Sequence, residues 1–141
     1  MMCVPTSVKA EMEYDPVITE EIVYQDAQYM IRVITIVEQE NVSFFATTNT
    51  KSVSRVWTVE NVFGNVVASY TLKGTFSYDG TTATCISATY TTNTDSILWS
   101  FESATAYASG AKAIGSFTAK NLLKTVSETL TLTCSKIGVI S

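Results

Sequence analysis

"VVASYTLKGTFSYDGTTATCISATYTT", residues 66–92, alternates apolar and polar residues in its first arm. Tyr70, Leu72, Phe76 and Tyr78 fall on one side and Thr71, Lys73, Thr75 and Ser77 on the other, the period of a strand with one face buried. Gly74 interrupts the apolar side, which marks a bend or the close approach of another backbone. Asp79-Gly80 supplies a two-residue type I′ turn, whose twist matches that of the strands it joins. The stretch therefore predicts a β-hairpin. On its returning arm Cys85 shares a face with Ala83, Ser87 and Thr89, small residues that leave room for a neighbouring sulfur or ring.

The same period recurs outward from this hairpin. Upstream, Tyr29, Ile31, Val33, Thr35 and Val37 alternate with Met30, Arg32, Ile34 and Ile36, both sets largely apolar, so this strand is expected to be covered on both sides. "NVSFFATTNT", residues 41–50, reads as a short strand. In "SVSRVWTVE", residues 52–60, Val53, Trp57 and Val59 form the inward face, and "NVFGN" at 61–65 reads as a turn with Gly64 free to adopt positive φ. Downstream, Ile97, Trp99 and Phe101 share a face, "ASGAK" at 108–112 is a second glycine turn, and Ala113, Gly115, Phe117 and Ala119 line one side of the next strand. The last strand places Leu130, Leu132 and Cys134 together, opposite Thr129, Thr131 and Thr133. Strands separated by turns every 8–15 residues describe a sandwich or barrel rather than βαβ units.

Composition agrees. The chain has 141 residues, enough for one domain with its own core. Apolar residues make up 46% and charged residues 16%, and hydroxyls fill the gap with 22 Thr and 15 Ser, a bias that suits sheet and disfavours long helices. The fold class is predicted as all-β, an antiparallel β-sandwich of about seven to nine strands, Ig-like in architecture. Residues 29–141 form its single domain. Residues 1–28 read as an acidic, partly disordered segment in which Thr19 and the following "EEIV" cap one or two helical turns.

Net charge is −4, with Glu11, Glu13, Asp15, Glu20, Glu21, Asp26, Glu38 and Glu40 concentrated in the first forty residues. No basic patch exists in sequence to neutralise a phosphate backbone, so nucleic acid is not an expected partner. Apolar runs stop well short of the roughly 20 residues that cross a bilayer as a helix, and no transmembrane segment is expected. "MMCVPTSVKA" has neither the basic start nor the apolar stretch of a leader peptide, so either the protein is cytosolic or its leader is missing from this chain. Cys3 reads as an unpaired surface thiol.

Cys134 shares its face with two leucines and Cys85 lies among small residues, a pattern that predicts a Cys85–Cys134 disulfide. Such a bridge closes a loop of about 50 residues, for which chain entropy gives roughly 4 kcal/mol, and it persists in an oxidising compartment. The alternative is a pair of ordinary buried thiols.

"VWTVENVFGNVVASYTLKGTFSYDGTTATC", followed by Trp99, "SGAKAIGSFTAK" and the closing "TLTLTCSKIGVIS", resembles a family of small exported β-rich proteins of Gram-positive bacteria with no assigned activity. The resemblance spans residues 52–141. It implies secretion to the cell envelope or surface and the same disulfide, and it brings no catalytic residues. The order Cys85, Trp99, Cys134 also mimics immunoglobulin domains. Leu132 stands where their corner tyrosine belongs, so the likeness is one of architecture and not of membership.

Catalytic signals are weak. The chain has no histidine, which removes Ser-His-Asp and Cys-His chemistry and the commonest zinc ligand. Ser109 and Lys112 match S-x-x-K spacing, but in a strand turn rather than at a helix start. Glu11, Glu13 and Asp15 could touch calcium, yet read as solvated charge, and Glu38 with Glu40 read as a strand exit rather than a glycosidase pair. No metal or cofactor is expected. The sequence thus predicts a secreted or cell-surface, non-catalytic structural or interaction protein with an unknown protein or cell-wall partner. The alternative is a carbohydrate-binding module using Tyr90, Tyr107 and Phe63 as a stacking platform, while Trp57 and Trp99 belong to the core.

Overall fold

The computed structural model describes residues 17–42, 48–95 and 97–141. Eight strands follow one another: β1 (Val17–Gln25), β2 (Tyr29–Asn41), β3 (Asn49–Asn61), β4 (Val66–Tyr78), β5 (Ala83–Thr94), β6 (Ser100–Ser109), β7 (Lys112–Lys120) and β8 (Thr125–Thr133). They form a five-stranded sheet in the order β1-β2-β3-β4-β5 and a three-stranded sheet in the order β6-β7-β8. Every neighbouring pair is antiparallel. The all-β sandwich is as predicted, and its strands run as a meander in chain order.

The alternation read in β4 holds. Tyr70, Leu72, Phe76 and Tyr78 are buried, and they meet the inward residues of β7, with Tyr70 stacked on Phe117 at 4.4 Å between ring centroids. Trp57 of β3 packs on the same phenylalanine at 4.7 Å. Trp57 and Trp99 are both core residues. Thinness at two glycines lets the sheets approach. A Cβ on Gly115 would lie 2.1 Å from the Tyr70 hydroxyl, and one on Gly74 would lie 2.8 Å from the Ala113 Cβ. The close approach predicted at Gly74 is therefore made by a side chain of the facing sheet, not by another backbone.

Several expectations are corrected. Residues 19–23 are part of strand β1, not a helical turn: pairing with β2, from Val17↔Ile36 to Gln25↔Met30, offers their backbone a full ladder that a one-turn helix lacks. The sandwich therefore begins before residue 29. Two register shifts in this edge pairing twist β1 and discourage pairing with another chain. Met30, Arg32, Ile34 and Ile36 are half-buried, sheltered by cross-strand neighbours such as Val56. The hairpin after Tyr78 closes through four residues, Asp79 to Thr82, with Tyr78 opposite Ala83. The Asp79 carboxylate accepts from the Thr81 and Thr82 amides at 2.9 and 2.8 Å, a side-chain-built turn that replaces the type I′ form. Ile97 does not share the buried face of Trp99, because it sits in a turn. The short strand expected across 41–50 lies partly outside the described residues, since 43–47 do; Asn49 and Thr50 open β3.

Candidate functional site

The two ends of the sandwich differ. At one, the chain terminus is tied down: Thr133 and Ser141 exchange two backbone hydrogen bonds, the Gly80 amide donates to Lys136 O, and Lys51 Nζ donates to Gly138 O at 2.6 Å. At the other lie the β1–β2, β3–β4, β5–β6 and β7–β8 connections, and the last three carry hydrocarbon outward. Phe63, Ile97, Leu122 and Leu123 are 83%, 103%, 88% and 87% exposed, with Val62 and Leu98 also exposed beside them. Tyr29, Val62, Leu98, Leu122 and Leu123, with Gln28, Asn61 and Asn121, line a cleft of about 440 Å³ between these turns.

Local chemistry explains how polar turns can present apolar tips. In "NVFGN" the Asn61 side-chain oxygen accepts from the Phe63 and Asn65 amides at 2.9 and 3.1 Å, and Gly64, at φ 81°, donates to Asn61 O. In "NLLK" the Asn121 oxygen accepts from the Leu123 and Lys124 amides at 2.9 and 2.8 Å. Asp26 accepts from the Gln28 and Tyr29 amides in the same way and also from the Tyr24 hydroxyl at 2.6 Å. These bonds, the Tyr24 hydroxyl foremost, hold the Asp26 carboxyl down at about 2. Each turn's amides are drawn onto its own first side chain, and the following two residues are left to face outward.

The sites read from sequence fare differently. Tyr90, Tyr107 and Phe63 are all exposed but stand on different surfaces. Phe63 tops the β3–β4 turn, while Tyr90 follows Leu72 on the inward side of β5 and stacks at 5.8 Å on Tyr70. Tyr107 pairs with Ile114 on the opposite side of β6–β7 from the core. Among the described residues these three rings make no stack with one another. Glu40 is engaged by Lys51 at 3.1 Å and by the Tyr78 hydroxyl at 3.1 Å. Glu11, Glu13, Asp15 and Cys3 lie outside the described residues.

Cys85 and Cys134 are buried free thiols, so the expected bridge is not formed in this structure. Each sulfur is turned onto a nearby carbonyl, Cys85 toward Ser87 O at 3.2 Å and Cys134 toward Ser135 O at 3.3 Å. Their backbones flank one turn, the Cys85 amide donating to Gly110 O and the Cys134 amide to Ala111 O. Burial pushes both thiols up; at Cys134 the Lys51 ammonium opposes this and the nearness of Cys85 adds to it.

Two features escaped the sequence reading. One is the apolar end itself; its signal was the repeated placement of two apolar residues directly after Asn61, Asn121 and Ser96, where turns ordinarily carry polar groups. The other is Arg55, whose place between Val53 and Trp57 in the alternation puts it on the inward face. Its Nε donates to the buried Thr35 hydroxyl at 2.8 Å and its Nη1 to Thr131 O of the other sheet.

No protein-family model matches the chain, and neither does any curated protein or solved structure.

Proposed function

We propose that this chain is an exported, cell-surface binding protein without catalytic activity, a rigid sandwich that presents one apolar end to its target. The observation that carries this reading is the gathering of six exposed large apolar residues, Val62, Phe63, Ile97, Leu98, Leu122 and Leu123, on three turns at the same end. Contiguous apolar surface of this kind marks an interaction site, and nothing in folding requires it. The separation of Phe63, Tyr90 and Tyr107 favours this reading over a sugar-stacking platform.

Export is supported by the sequence resemblance and by the two neighbouring cysteines. In an oxidising compartment we expect Cys85 and Cys134 to join, tying β5 to the end of β8. Intact protein isolated from such a compartment should be two hydrogens lighter than its reduced form, and an unchanged mass would remove this support for export.

The test of the binding reading is direct. Leu122→Glu with Leu123→Glu should abolish retention on envelope preparations of the source cells while leaving the unfolding free energy from urea denaturation within about 0.5 kcal/mol of the parent. Retention equal to that of the parent would end the proposal.

A further inference from the structure

We propose that the target of the apolar end is a lipid bilayer surface, into which the turns insert their side chains. This inference rests on the binding reading above and names its partner by chemistry.

Three observations select a bilayer. First, the most exposed residues are crests rather than cleft walls. Phe63 and Ile97 stand outside the cleft lining, and Leu122 and Leu123 are almost fully solvated even though they line it. A rigid protein partner would need a separate pocket for each crest, whereas fluid hydrocarbon closes around all of them. Second, amides of the 61–65 and 121–124 turns are already satisfied within those turns. Hydrocarbon offers no hydrogen-bond partner, so an unpaired backbone group there costs several kcal/mol. Phe63, Gly64 and Asn65 all donate within their own turn, as do Leu123 and Lys124 in theirs.

Third, the groups set back from the crests match the headgroup layer. Tyr24 is partly exposed, and Lys124 Nζ lies 3.4 Å from its ring centroid; tyrosine and lysine are the residues that anchor proteins at membrane interfaces. Lys120, at the end of β7, is paired with Glu102 at 2.9 Å. Asp26 and Asp95 offset these cations at the same end, so among the described residues no positive collar calls for anionic lipid. Insertion is then driven by hydrocarbon burial, and zwitterionic lipid suffices.

The experiment is sedimentation with phosphatidylcholine vesicles. The parent protein should partition to the vesicles, and its partitioning should resist added salt. Each of Leu122→Glu and Leu123→Glu should weaken it by about tenfold or more, whereas Ile137→Glu, an exposed position at the opposite end, should leave it unchanged. Failure of the parent to bind, or binding indifferent to both leucine variants, overturns the inference. Should the parent instead form a dimer that Leu122→Glu dissociates, the end is a contact between copies; the bilayer falls while the binding reading stands. If retention on envelope preparations is also indifferent to the leucines, both readings fall together.

Discussion

Gly115 shows how much of this fold depends on an absent side chain. Tyr70 crosses from the five-stranded sheet into the space above Gly115 and donates its hydroxyl to Thr105 O at 2.7 Å. A methyl at Gly115 would clash with the Tyr70 hydroxyl, so Gly115→Ala must displace the hydroxyl from its bond to Thr105 O and disturb the Tyr70–Phe117 stack. A loss of about 2–4 kcal/mol by urea unfolding is expected; a change below about 0.5 kcal/mol would show that the sheets do not meet there. The buried tyrosines also set an alkaline limit. Tyr70 is pushed up to about 12 by burial, with Tyr90 adding to it, and Tyr78 to about 12 by burial and then by its bond to Glu40. Both are raised above the ordinary value near 10. Their contribution is therefore complete below pH 10 and is lost as pH climbs through about 12. Phenolate absorbance should show Tyr70 and Tyr78 ionising late and together with unfolding. Absence of any late component would contradict this.

At the level of elements, Arg55 is a polar tie between β3 and β8. It reaches from β3 to a β8 carbonyl while satisfying the buried hydroxyl of Thr35, and burial pulls its pKa down from the usual value. Removing it leaves two polar groups without their donor, so Arg55→Ala should cost about 2–4 kcal/mol in chemical denaturation. A neutral variant would mean that apolar packing alone holds β3 to β8. The elements differ in how well sequence reveals them. β4, β7 and β8 were legible because one face of each is buried, which writes the period into the residues. β1 was not: as an edge strand it is exposed over its described length, its acidic start imitates a helix N-terminus, and only the partner strand β2 decides the matter. The turn after Tyr78 was located correctly but misjudged in length, because the capping by Asp79 competes with the two-residue form that "DG" suggests.

For the whole molecule, the meander places strand connections at two ends with opposite characters. One end is closed by the returning terminus, where Cys134 bridges Ile140 and the 134–141 segment packs back on the body. At the other, Asn61, Asn121 and Asp26 draw nearby amides onto their own side chains and hydrocarbon turns outward. Sequence periodicity could not foresee this contrast, since Val62, Phe63, Leu122 and Leu123 lie outside strands, where apolar residues carry no face assignment. Only the convergence of turns distant in sequence makes them one surface.

Amide hydrogen exchange reads that convergence residue by residue. With phosphatidylcholine vesicles added, new protection should be confined to residues 62–65, 97–99 and 121–124, while 79–82 and 110–111 at the far end exchange as before. Protection absent from the three turns, or concentrated at the far end or along the β1 edge, would contradict the account.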